Sequence, residues 1–271
     1  MDIHLTIYSM SNLKGQHSKN FSNHFNKYSI FAFENQNNLI YNSEMRLSVP
    51  FLNCQTSYFN NLVLFAKMKK QYGAILLAGG LSSRMGQDKA SLEIGGRTML
   101  ERLLLILRPL VAETVVMRAP GQVLPRISSD LQDWIKLGMD SVAERGPLQG
   151  IVDALPLLSS KIDKVFLLTC DLPYLTEEWL QTLRDIMTDE YDLVCTEERN
   201  ITNPLLALYR RPVLEPAAEL LAEGKRRPIF LWEGWRMVRL SSPEETPWIC
   251  QDVNTPDEFK KAQLFFQRKH D

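Results

Sequence analysis

From residue 73 onward, short continuous apolar runs alternate with segments whose apolar positions recur at helical spacing. Residues 73–78 are apolar throughout and lead into glycines, the pattern of a strand buried on both faces. Residues 164–169 repeat that pattern and stop at Cys170-Asp171. Further strands are predicted at 113–117, 134–139, 193–195, 205–209 and 236–240. Helices are predicted at 98–107, closed by Pro109, and at 148–158, opened by Gly146-Pro147. Another starts at the N-cap Thr176, with Trp179 beginning its apolar face. The last two cover 213–222, ended by Gly224, and 256–268. Repeated strand-then-helix order predicts an α/β domain of three layers, α/β/α, with a mostly parallel sheet. Such sheets bind ligands beyond the carboxyl ends of their strands, so chemistry is expected just after strands.

The first 67 residues break the pattern. They show neither period, and their apolar residues stand singly among Asn, Ser, Gln and His. They hold 11 of the 14 Asn but only 8 charged residues, a composition unlike the rest. The chain therefore divides at 67/68: a low-charge Asn-rich extension, 1–67, and one domain, 68–271. The extension is expected to be disordered, or upstream sequence that is not translated, with Met68 starting the functional protein. The alternative is a small partner-docking module built on its Phe and Tyr residues. It fits neither a secretory signal, having no compact apolar core, nor a transit peptide, since Arg46 is its only arginine.

Charge and cysteines exclude several functions. The net charge is −1, against nucleic-acid binding through bulk positive charge. No apolar run reaches membrane-spanning length. Cys54, Cys170, Cys195 and Cys250 form no metal or disulfide pattern, which fits a reducing cytoplasm.

Five segments carry candidate chemistry. In residues 77–90, Gly79, Gly80 and Gly86 let backbone N–H groups approach phosphate, Ser82 and Ser83 add donors, and Arg84 and Lys89 bring positive charge. The spacing matches neither a P-loop nor the dinucleotide fingerprint. In residues 169–174, Asp171 ends a central strand, where a carboxylate can hold Mg²⁺ against phosphate oxygens or cap a turn. In residues 140–150, Asp140 follows a strand, and Gly146-Pro147 and Gly150 leave room for a base or ribose. Asp252 or Asn254 can reach metal or substrate, while Thr255 caps the last helix. Lys225, Arg226 and Arg227 form a basic turn that can grip an anion or stand solvated.

In order, these segments resemble the molybdenum cofactor guanylyltransferase family of the nucleotidyltransferase superfamily. The resemblance rests on L-A-G-G-x-S-x-R-M-G-x-D-K at 77–89, G-P-L-x-G at 146–150, C-D-x-P at 170–173, P-L-x-A-L-Y at 204–209 and N-T-P at 254–256. Sibling enzymes acting on CTP or sugar phosphates commonly read L-A-A-G, so Gly79 favours the guanylyl branch. The resemblance implies a Rossmann-like nucleotidyltransferase fold that moves GMP from GTP, with Mg²⁺, onto molybdopterin-bound molybdenum. It places Leu77, Ala78, Gly79, Gly80, Lys89 and Asp140 on GTP, Asp171 on the metal, and Arg84, Lys89 and Asp171 as the catalytic set. Asn254 is expected at the same site, with Arg226 and Arg227 on the pterin phosphate. Expected partners are cofactor-synthesis proteins and recipient molybdoenzymes, in the cytoplasm, with no nucleic acid and no membrane. The alternatives are a nucleotidyltransferase using CTP or another phosphorylated acceptor, and a non-catalytic nucleotide- or cofactor-binding protein.

Overall fold

The computed structural model describes residues 33–35, 38–40, 71–79, 87–198, 200–243 and 246–267. The chain falls into two units, Met1–Phe59 and Asn60–Asp271. In the first, strands β1 (Phe33–Asn35) and β2 (Asn38–Ile40) pair antiparallel, a pairing the sequence pattern does not predict. The expectations for the rest of the extension, and the 67/68 boundary, lie outside the described residues.

The second unit contains, in order, β3 (Tyr72–Leu77), β4 (Glu93–Ile94), β5 (Arg97–Thr98), α1 (Met99–Leu107), β6 (Glu113–Arg118), α2 (Ser129–Gln132) and β7 (Ile135–Met139). There follow α3 (Pro147–Ala154), β8 (Lys164–Thr169), α4 (Glu177–Ile186), β9 (Leu193–Glu198) and β10 (Ile201–Arg210). Helices α5 (Arg211–Leu214) and α6 (Ala217–Ala222), β11 (Met237–Ser241) and α7 (Pro256–Gln267) complete it. Seven strands form one sheet in the order β11-β9-β10-β8-β3-β6-β7. All neighbours run parallel except β10, which is antiparallel to both β8 and β9. Only Arg199 and Asn200 join β9 to β10, and so short a link permits a hairpin but no parallel crossover.

The apolar run of β3 is explained by two cores. Ala74 and Leu76 face a layer containing Leu100, Leu103 and Leu104 of α1 and Trp179 and Leu183 of α4. Ile75 and Leu77 face the opposite layer, with Leu148 and Ile151 of α3 and Val213 and Ala217 of α5 and α6. Strand β8 divides likewise, Phe166 and Leu168 against Val165 and Leu167. A strand covered on both sides has no polar face, hence the uninterrupted apolar sequence.

Several elements differ from the sequence expectation for local reasons. The helix expected at 213–222 is broken into α5 and α6 at Glu215-Pro216, because proline has no N–H to donate. The helix expected at 148–158 tightens to a 3₁₀ turn at Leu155–Leu157. The β4–β5 hairpin was not expected. Its turn is Gly95-Gly96, with φ of 60° and 76°, a pairing that suits a two-residue hairpin loop.

Strand β10 begins earlier than its apolar stretch and carries a bulge between Asn203 and Ala207. Pro204 cannot donate to a ladder, and bulges are where strands tolerate proline. Leu205 N donates to Asn203 Oδ1 at 2.9 Å, Tyr209 OH to Pro204 O at 2.8 Å, and Trp232 Nε1 to Tyr209 OH at 3.1 Å. These bonds hold the bulge beside the end of β8.

Candidate active site

The carboxyl edge of the sheet brings the motif residues into a row. From β7 inward stand Asp140, the turn after β6, Ala78 and Gly79 after β3, and Asp171 after β8. Three strand spacings separate Asp140 from Asp171, roughly 14 Å.

The densest cluster lies at the β8 end. Lys89 Nζ donates to Asp171 Oδ2 at 2.9 Å and to Asn254 Oδ1 at 2.5 Å. The Lys89 and Asp171 side chains are only 16% and 17% exposed, so water screens their attraction less than that of a surface pair. Thr169 Oγ1 donates to Asp171 Oδ1 at 2.5 Å, and Asn254 Nδ2 to Asp252 Oδ2 at 2.7 Å. Thr255 and Glu258 form a reciprocal cap at the start of α7. Glu258 N donates to Thr255 Oγ1, while Glu258 Oε2 accepts from the backbone N–H groups of Thr255 and Asn254. The Asn254 bond leads in holding the Glu258 carboxyl below its ordinary pKa. The cap that starts the helix thus also fixes Asn254 toward Lys89.

The glycine turn is tightly seated. Ala78 N and Gly79 N both donate to Met117 O, at 2.8 and 3.1 Å. A Cβ on Gly79 would stand 2.6 Å from Ala119 N, so only glycine lets the two loops approach this closely. Gly80 and Arg84 lie outside the described residues.

Asp140 follows β7 and is half-buried, with its backbone N–H on Arg118 O at 3.0 Å. Burial, and then the like charge of Asp153, push its carboxyl up to about 6. Gln149, buried in the first turn of α3, donates to Asp153 Oδ2 and Ser141 Oγ and so fixes this corner. A Cβ on Gly150 would lie 3.4 Å from Asp140 Oδ1.

The basic turn joins the same edge. Leu148 N, at the start of α3, donates to Arg226 O at 3.3 Å, and Arg226 Nη1 to Glu144 O at 3.3 Å. Gly146 has φ of 77°, and a Cβ there would stand 3.0 Å from Arg226 O. Arg226 therefore packs on the G-P-L-x-G loop, and Arg227 beside it is exposed.

The structure thus joins Lys89, Asp171 and Asn254 directly, sets Ala78, Gly79 and Asp140 along the same edge, and brings Arg226 to it. Sequence reasoning missed Gln122 and Thr169. Thr169 ends β8, where the rule that ligands bind beyond strand ends could have found it, whereas Gln122 lies in the turn beyond β6, which the rule indicates only as a loop.

Among the described residues, no three His, Cys, Asp or Glu side chains converge on a metal position. The donors near Lys89 are a carboxylate and an amide oxygen, hard ligands suited to Mg²⁺, which commonly takes one or two protein carboxylates and completes its shell with phosphates and water. No histidine lies among the described residues, and burial raises the thiol pKa of Cys195 to about 11 and of Cys250 to about 12. None of the described helices is long and apolar enough to cross a membrane.

A glycine turn, a lysine and an aspartate stand together at the carboxyl edge of a mostly parallel sheet, the edge where such sheets bind ligands. Comparison with known proteins gives the class. Residues 74–237 match the model of the MobA-like NTP transferase domain. A probable molybdenum cofactor guanylyltransferase of Bacillus cereus is 30% identical over 202 residues, covering 73% of this chain and 99% of the relative. Among solved structures, molybdopterin-guanine dinucleotide biosynthesis protein A of Archaeoglobus fulgidus aligns with a TM-score of 0.57 and 19% identity, covering 72% of this chain and 99% of its own. A 4-diphosphocytidyl-2C-methyl-D-erythritol synthase of Anaerococcus prevotii aligns with a TM-score of 0.56 and 14% identity, over 75% and 99%. This chain belongs to the MobA-like NTP transferase family.

Proposed function

We propose that the chain transfers GMP from GTP to molybdopterin-bound molybdenum cofactor, forming the guanine dinucleotide cofactor and pyrophosphate. The observation that carries this reading is the shared hold of Asp171 and Asn254 on Lys89, one strand over from the glycine turn. The named B. cereus relative supports the guanylyl assignment.

A phosphate oxygen of the pterin attacks the α-phosphorus of GTP, and the bond to the β-phosphate breaks to release pyrophosphate. The attacking oxygen is already ionised, so no protein base is needed, and catalysis rests on positioning and charge. Asp171 and Asn254 would hold Mg²⁺, which when bound neutralises charge on the phosphates. With Asp171 engaged on the metal, Lys89 would be free to turn to the triphosphate, the group on which Arg84 is also expected to act. Ala78 and Gly79, whose N–H groups are held by Met117 O, offer close backbone approach to the nucleotide above the buried Leu77, and Gly80 is expected to continue that surface. Asp140, three strands from Asp171, accepts hydrogen bonds from the nucleoside end. Arg226 and Arg227 hold the pterin phosphate.

The deciding experiment is incubation with Mg²⁺, molybdenum cofactor and either GTP or CTP, scoring GMP or CMP released by acid from the product. GMP is expected. CMP alone would overturn the guanylyl reading, and the absence of both products would overturn it too, in favour of another phosphorylated acceptor or a binding role. In the same assay, Arg226→Ala/Arg227→Ala should raise KM for the cofactor and leave KM for GTP unchanged. A shift in the GTP value alone would reassign that turn.

Asp140 gives a pH prediction. Its carboxyl is raised to about 6, so the carboxylate that accepts from the nucleoside is present above that pH and lost below it. GTP affinity should fall between pH 7 and 5, and Asp140→Asn should flatten that fall. The folded form binds the extra proton between pH 3.8 and about 6, so the same group makes the fold less stable as pH rises through that window. An unchanged profile in Asp140→Asn would separate Asp140 from the nucleotide.

A further inference from the structure

We infer that Gln122 is a positioning residue for the nucleotide: its amide clasps together the two described ends of the glycine-rich segment, Ala78 and Asp88. The inference rests on the nucleotidyl-transfer reading above. It is carried by one hydrogen-bond cluster. Gln122 Nε2 lies 2.9 Å from each Asp88 carboxylate oxygen and 3.0 Å from Ala78 O. Its Oε1 accepts from Ala119 N at 2.9 Å.

The amide can sit only one way. Reversed, its oxygen would face a carboxylate and a carbonyl, and its NH₂ would face the N–H of Ala119. Two hydrogens serve three oxygens, so the Asp88 carboxylate shares one of them across its two atoms. A bond to a carboxylate is stronger than a neutral one.

The turn that carries Gln122 is set by its sequence. Ala119-Pro120-Gly121-Gln122 closes through Gln122 N on Ala119 O at 3.1 Å, with proline second and glycine third, the latter at φ of 77°. Those residues suit a type II turn, whose third position needs positive φ. Arg118 Nη1 holds Gln122 O at 2.7 Å. The close approach of Gly79 to Ala119 seats the segment's first end against the same turn.

At the other end, Asp88 Oδ1 also accepts from Ala90 N at 3.1 Å, capping the 3₁₀ turn Lys89–Ser91. The carboxylate Gln122 grips is thus the one that fixes the backbone from which Lys89 reaches Asp171 and Asn254. Cys170 Sγ makes a second, weaker contact to Ala78 O at 3.8 Å, its thiol kept protonated by burial. The clasp links the β6 loop to β3, to the Lys89 turn and through them to β8. Its expected effect is on nucleotide affinity.

The test measures binding of a fluorescent GTP analogue, transfer kinetics and melting temperature in the full chain. Gln122→Ala should weaken nucleotide affinity between about tenfold and a hundredfold, the scale of one hydrogen bond to a charged group. KM for GTP should rise with it, KM for the acceptor should stay unchanged, and the melting temperature should fall by no more than about 4 °C. Gln122→Glu sets two carboxylates against each other and should lose more. Adding Asp88→Asn to Gln122→Glu reverses donor and acceptor between these two side chains and keeps an oxygen for Ala90 N, but leaves an oxygen facing Ala78 O, so affinity should recover in part over Gln122→Glu alone. Nucleotide affinity within twofold of wild type in Gln122→Ala, or no recovery in the double variant, would overturn the clasp. Should the chain use CTP instead, the same shifts are expected with a CTP analogue. Failure of the guanylyl reading and failure of the clasp are therefore told apart.

Discussion

Replacing Asp171 by alanine is expected to reduce nucleotidyl transfer on the order of 10²–10³-fold, the usual cost of removing one group that stabilises charge in the transition state. The fold should survive. Lys89 keeps Asn254 as a partner, and Leu172, not Asp171, fills the core at this turn. Circular dichroism and thermal melting should therefore match the wild type while turnover is lost. Asp171→Asn keeps the shape and the bond from Thr169 but not the charge, and should be nearly as impaired. Turnover near the wild-type rate in either variant would remove Asp171 from the reaction and leave its contact with Lys89 purely structural.

Gly79→Ala should be the most damaging small change near the site. The added Cβ meets backbone, Ala119 N at 2.6 Å, and backbone cannot rotate away as a side-chain tip can. Overpacking of this kind costs about 1–3 kcal/mol. In a domain of this size that lowers the melting temperature by roughly 2–12 °C. It also pushes the turn away from Met117 O, which holds both Ala78 N and Gly79 N. GTP and CTP analogues should lose affinity together, because the clash lies between two loops of the protein. A variant that loses GTP and gains CTP would show instead that Gly79 selects the base.

That contrast marks what the sequence discloses. Strands β3 and β8 are legible because burial on both faces writes a continuous apolar run. Thr98, Thr176 and Thr255 are legible as helix starts because each hydroxyl caps within its own segment. The antiparallel course of β10 was not read, because its bulge at Asn203 and Pro204 hides the period. In the site, Lys89 and Asp171 are legible by residue type and position. Their meeting with Asn254 is not, since no local pattern records a contact between residues so far apart. Gln122 was missed for a related reason: its partners, Ala78 and Asp88, belong to a different segment. Gly79 was legible as important, but its packing reason needed Ala119 beside it.

The Lys89–Asn254 bond spans 165 residues of chain. A domain generally folds as a unit, and Lys89 is made long before Asn254, so the cluster can close only after the segment carrying Asn254 is made. Competence for transfer becomes a late event in the life of each molecule, set by arrival of the C-terminal helix. A chain cut short before Asn254 would lack the last contact of the site, and would also uncover Leu92, Ile94 and Met99, which Phe259, Ala262 and Phe266 of α7 pack against.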